Sequence, residues 1–131
     1  MTPEQYLVRL RTLCRRLPDT GEKQSWGHPN FTAGGRIFAA VEVYKGRACL
    51  AIATSQEEQS LLIEDPHFMK APYVGKYGWV SALLDTKPAW KMLEPLLCSA
   101  HARTLAKAPP KKSLARATGA KAATKRARNP G

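Results

Sequence analysis

Little in this sequence is equipped for metal or disulfide chemistry. Its 131 residues include only three cysteines, Cys14, Cys49 and Cys98, odd in number and far apart. No CxxC pair exists to hold zinc, and separated thiols of this kind make no disulfide framework. Each lies in an apolar context, so buried reduced thiols and a cytoplasmic setting are expected. His28, His67 and His101 have no metal-ligand spacing within a segment. Gly34-Gly35 opens no helix with the spacing of a phosphate-binding loop. Neither a metal nor a cofactor is therefore expected. No apolar run approaches the ~20 residues needed to span a bilayer, and Met1-Thr2-Pro3-Glu4-Gln5 begins an amphipathic helix rather than a signal peptide. A membrane partner is not expected.

Acids are scarce as well. Ten Asp and Glu face 21 Lys and Arg, for a formal charge of +11. The imbalance is local: residues 105–131 hold eight Lys or Arg and no acid, whereas residues 1–104 come to only +3. The same C-terminal stretch has no aromatic residue and Leu114 as its main apolar side chain beyond Leu105. So little apolar area cannot offset the entropy of ordering, and a disordered basic tail over 105–131 is the expectation. Such a tail suits a polyanion, DNA above all and RNA by the same phosphate contacts. The plainer reading is a solubilising extension.

The first 104 residues read as one α+β domain. Thr2, Pro3 and Gln5 spell a capping box with proline at the first helical position. Tyr6, Leu7, Leu10, Leu13, Cys14 and Leu17 then recur at helical spacing, and Pro18 ends the run. Arg36 to Tyr44 reads as a strand, with Ile37, Ala39, Val41 and Val43 on one face and Phe38, Ala40, Glu42 and Tyr44 on the other. Lys45-Gly46 turns the chain, and Arg47 to Thr54 returns. Ser55 with Glu58 spells a second capping box, for a helix through Ile63. Residues 66–78 predict an ordered loop with extended pieces, and Trp79 to Leu84 another strand. Asp85 or Thr86 is expected to cap a last helix carrying Trp90, Leu93, Leu97 and His101 on one face.

Three kinds of site compete. Lys111, Lys112, Arg116, Lys121, Lys125, Arg126 and Arg128 can neutralise phosphates. If about five engage duplex DNA, log affinity falls with log salt at a slope of about −4.5. Arg36 and Lys76, with Trp26, can add a folded contact surface in which an aromatic ring stacks beside cations. Against this stands plain packing, with Trp79 against the last helix. Catalysis is the third. Asp19, Glu22 and His28 lie within ten residues, with Ser25 or Cys14 as conceivable nucleophiles. However, Cys14 sits on the apolar helix face, and Ser25 lacks a nucleophile-elbow context. No catalytic residue is assigned and a non-enzyme is expected.

Four blocks carry a resemblance: Cys14-Arg15-Arg16-Leu17-Pro18-Asp19-Thr20, Ser25-Trp26-Gly27-His28-Pro29-Asn30-Phe31, Gly34-Gly35-Arg36-Ile37-Phe38-Ala39, and Ala71-Pro72-Tyr73-Val74-Gly75-Lys76-Tyr77-Gly78-Trp79-Val80. In this order they resemble the MmcQ/YjbR family of small bacterial proteins, over roughly residues 5–105. The resemblance implies a compact α+β domain, an antiparallel sheet with flanking helices, similar to the double-wing arrangement of some DNA-binding domains. It also implies the family's DNA-binding label, by analogy of fold. Thr32 departs from the pattern, because relatives often carry a basic residue there. The expectation is a non-enzymatic, low-specificity DNA-binding protein. The alternative is a small-molecule or protein-binding module with Trp26, His28, Tyr73 and Trp79 around a pocket. The sequence names no protein partner.

Overall fold

A computed structural model describes residues 1–25 and 27–107 of the chain. The tail expected over 105–131 therefore lies, from residue 108 onward, outside the described residues. The elements run α1 (Pro3–Arg16), β1 (Thr20–Ser25), β2 (His28–Ala33), β3 (Arg36–Tyr44), β4 (Arg47–Ile52), α2 (Gln56–Leu62), β5 (Phe68–Lys70), β6 (Val80–Leu83) and α3 (Trp90–Lys107). Single 3-10 turns occupy Gly75–Tyr77 and Leu84–Thr86. All strand pairs are antiparallel, in the order β1-β2-β3-β4-β6-β5. This is the α+β architecture the sequence implied.

Local chemistry explains most boundaries. Both expected capping boxes form, Thr2 with Gln5 and Ser55 with Glu58, each satisfying two orphan donors of its helix. The β2–β3 and β3–β4 hairpins turn at Gly34-Gly35 and Lys45-Gly46, where both central residues have positive φ. That is the two-residue turn whose twist matches a right-twisted strand pair. The core joins Tyr6, Leu10 and Leu13 of α1, Leu93, Leu97 and Ala100 of α3, and Phe31, Leu50, Ile52 and Val80 of the sheet. The Tyr6 hydroxyl donates to the Pro88 carbonyl and ties α1 to the start of α3.

Two expectations need correction. The apolar face of β3 does not alternate as written, for Phe38 and Ala39 are both fully buried while Ile37 is 42% and Val43 56% exposed. A bulge is the cause. Phe31 pairs with Ala39 but Thr32 with Ile37, so Phe38 is an extra residue and the alternation changes sign there. Its ring meets His101 of α3 edge-on, 5.5 Å between centroids. The last helix also begins at Trp90 rather than behind Asp85 or Thr86. Pro88 disfavours helical backbone at Lys87, which turns left-handed at φ 54°. Asp85 instead accepts from Nε and Nη2 of Arg47, at 2.8 Å each. At its other end α3 runs to Lys107, past residue 104, with Leu105 packed on the core.

The segment between β5 and β6 is pinned against the start of α2. The buried Gln59 amide donates to the carbonyls of Gly75 (2.7 Å) and Trp79 (2.8 Å), and the Gln56 amide donates to that of Lys76 (2.8 Å). Gly78, at φ 99°, lies so close that a Cβ would stand 2.9 Å from the Gln56 nitrogen and the Thr54 oxygen. Backbone offers no room to yield. Gly78→Ala is expected to cost about 3 kcal/mol, from strain plus overlap. Gln59→Leu should cost about 2 kcal/mol, two hydrogen bonds at about 1 kcal/mol each, while the Gly75 and Trp79 carbonyls keep the Gly78 and Ala71 amides. Urea unfolding midpoints check both, and a loss below 0.5 kcal/mol in either, about the size of an ordinary surface substitution, would contradict the pinning.

Candidate nucleic-acid interface

At the end of the sheet where β3 begins and β4 leaves, the last turns of α3 close over a cleft of about 320 Å³. Arg36 and Ile37 enter it from β3, and Ala53 and Thr54 from the link to α2. Tyr77 and Trp79 come from the pinned segment, and Arg103, Thr104 and Lys107 from α3. The cleft thus draws on four separate stretches of chain.

Its cations are not equivalent. Arg103 is a strut: Nη1 donates to the Ala53 carbonyl (2.7 Å) and Nη2 to Glu58 Oε1 (2.8 Å). The same Glu58 oxygen accepts the Ser55 amide at 3.0 Å, so one carboxylate caps α2 and holds α3. Arg36 Nη1 donates to the Lys107 carbonyl (2.8 Å). Lys107 is itself exposed. Lys76 does not line the cleft, but its Nζ stands over the ring of Tyr77, which does, 5.3 Å from the centroid.

Of the residues singled out in the sequence, the structure therefore gathers Arg36, Trp79 and, at the rim, Lys76. Three others were missed. Tyr77 could have been found in the aromatic run from Tyr73 to Trp79, and Arg103 and Lys107 by their spacing of four at the end of the last helix. Tyr73 stands 86% exposed at φ 67° and does not line the cleft. His28 is elsewhere. It pairs with Ser25 beside Glu42 and Cys49, whereas Trp79 adjoins the Ala39–Ile52–Val80 end of the ladder. About four strand steps, roughly 13 Å, separate those two levels. Trp26 and the seven basic residues from Lys111 to Arg128 lie outside the described residues. Thr32, where a basic residue was absent, is buried.

The residues considered for catalysis are likewise engaged or apart. Glu22 takes Arg11 with both oxygens, at 3.0 and 2.6 Å, and the Arg11 hydrogen bond lowers its pKa. Asp19, whose carbonyl accepts the Gly34 amide, lies at the opposite end of the β1–β2 hairpin from His28, about six strand steps or roughly 20 Å away. His101 Nε2 is 2.7 Å from the Pro18 carbonyl, which only accepts, so that nitrogen carries the proton. His67 Nδ1 is 2.8 Å from Thr86 Oγ1. No group of three or more His, Cys, Asp or Glu among the described residues is arranged to hold a metal ion. At the His28 end, burial raises the pKa of Glu42, with His28 acting against it, and burial followed by the Glu42 charge raises that of Cys49. No helix among the described residues is long and apolar enough to cross a membrane.

A family model described as YjbR matches residues 15–103. Among solved structures, the crystal structure of the Deinococcus radiodurans protein DR2400, with a DUF419 domain, is similar in fold. The TM-score is 0.70 over 84% of this chain and 86% of that one, at 22% identity. No curated protein matches the sequence.

Cys14 offers a direct check on the nucleophile reading. Burial, with a smaller push from the Glu22 charge, raises its thiol to about 11. At pH 8 only about one thiol in a thousand is then ionised. Iodoacetamide at that pH is expected to modify the partly exposed Cys98 in the folded protein and Cys14 only after unfolding. Peptide mass mapping reads the order, and modification of Cys14 at a comparable rate would mean a reactive thiol.

Proposed function

The chain belongs to the YjbR family, and from that premise we propose that it is a non-enzymatic, low-specificity DNA-binding protein of the cytoplasm. One observation carries the reading. Arg36, Lys76 and Lys107 collect around an aromatic cleft at the point where the chain runs on into residues 108–131. Those residues add seven Lys or Arg and no acid. A near-neutral domain followed by such a segment concentrates attraction for phosphates at one place. Lys111, Lys112, Arg116, Lys121, Lys125, Arg126 and Arg128 supply most of it without reading bases. Arg36 and Lys76 extend it onto the fold.

The test is fluorescence anisotropy of a labelled random-sequence duplex against the full chain, titrated at several salt concentrations. The slope of log affinity against log salt is expected near −4.5 or steeper, for five or more phosphates neutralised. Replacing the seven basic residues beyond Lys107 by alanine should remove most of the slope. Arg36→Gln with Lys76→Gln should flatten it by about 1.8, two contacts at about 0.9 each. Absent or salt-indifferent binding by the full chain would overturn the reading.

A further inference from the structure

We propose that the Arg36–Tyr77–Trp79 cleft seats one unpaired nucleobase, so that the folded domain grips single-stranded DNA where the basic segment grips any phosphate chain. The inference rests on the DNA-binding reading and specifies which form of DNA the folded surface selects.

Shape is the first argument. Reading a duplex requires something that protrudes, a helix or ribbon entering a groove. This site is concave. Its volume of about 320 Å³ lies at the small end of ligand sites, which run from about 300 to 1,000 Å³. It has room for one planar ring system. A paired base is shielded by its partner and its stacked neighbours, whereas an unpaired one can be splayed out of the strand.

The cleft also offers such a base a stacking surface. Tyr77 is 66% exposed although its ring is large, and Ile37 beside it is 42% exposed. Trp79 forms a half-buried part of the wall. Exposed rings of this kind are the usual platform for bases in single-strand binding, and they tolerate any sequence because each base has a π-face. Tyr77 is also held in place before a ligand arrives. The carbonyls on either side of its turn, at Gly75, Lys76 and Trp79, accept from Gln59 and Gln56, and Gly78 is wedged against residues 54–56. A platform fixed by its backbone loses little entropy on stacking.

Charge is the third. Lys76 lies on one side, with its ammonium 5.3 Å from the Tyr77 ring, while Arg36 and Lys107 lie within the lining. Cations flank the place a base would occupy, as the phosphates of a strand flank each base.

The experiment uses the full chain and three labelled probes of equal length: a mixed-sequence single strand, the same strand made abasic, and its duplex. The base-bearing strand is expected to bind about tenfold tighter than the abasic one, the scale of a single base stacked on an aromatic ring. Tyr77→Ala should erase that difference and leave duplex affinity within twofold. Tyr77→Phe, which keeps the ring, should preserve it. Because Tyr77 is mostly exposed, the variants should melt with the parent protein, as thermal circular dichroism would verify. Equal binding of the abasic and base-bearing strands overturns the inference. So does a loss in Tyr77→Ala shared by strand and duplex alike. If the duplex still binds with a steep salt slope in either case, the DNA-binding reading stands alone. If no probe binds, both readings fall.

Discussion

The side-chain amide of Gln59 is the joint on which the cleft depends. Its two donated bonds fix the backbone on both sides of Tyr77, and Gly78 allows that backbone to approach residues 54–56 without an intervening Cβ. From there the restraint passes outward. The Ser55–Glu58 capping box orders the start of α2, Glu58 holds Arg103, and Arg103 reaches back to the Ala53 carbonyl. A segment rich in glycine and proline, the end of β4, the start of α2 and the end of α3 become one unit. Each bond alone is modest, about 1 kcal/mol net. What they accomplish together is geometric, because they place two aromatic residues and three cations within one concavity.

The two ends of the sheet have different characters as a result. At the cleft end, polar side chains bind backbone and leave rings exposed. At the His28 end, Glu42 is partly and Cys49 fully withdrawn from water, and the Arg47–Asp85 pair bridges the β4 start to the turn before α3. That pair is exposed and adds little stability, but it explains why Asp85 does not serve as a helix cap. A carboxylate with a two-pronged arginine partner gains more from that pairing than from capping a helix that Pro88 prevents from starting there.

Features set by short-range chemistry were legible in the sequence. Both capping boxes, the Lys45-Gly46 turn, the apolar stripe of α1 and the α+β class follow from local spacing and emerge in the structure. The face of β3 was not legible, because the bulge at Phe38 is created by register with β2 and no residue announces it. The late start of α3 was readable in principle from Lys87-Pro88, but the Asp-Thr pair before it gave a competing signal. The site divides in the same way. Arg36, Lys76 and Trp79 stood out as cations and aromatics in glycine-rich blocks. Arg103 carried no signal of its own and Lys107 fell within the expected disordered tail, until α3 was laid across β2, β3 and β4. Grouping His28 with Trp79 failed for a related reason, since conspicuous residues of separate blocks can end at opposite ends of the strands.

The electrostatics of the cleft imply a division of labour. Five basic side chains would be counted near it by eye if Lys70 were included, yet few are available to a phosphate. Lys70 faces outward from β5 without lining the cleft. Arg103 is matched by Glu58, and Arg36 commits one nitrogen to the Lys107 carbonyl. Lys76, Lys107 and the remaining nitrogens of Arg36 are left. Three exposed cations screened over about 8 Å at physiological salt do not hold a polyanion firmly. In the proposed function, affinity must therefore come from the seven basic residues that follow Lys107, and the folded cleft contributes discrimination. Arg36 then has two tasks: one nitrogen steadies α3 at the Lys107 carbonyl, and the others are left for a phosphate.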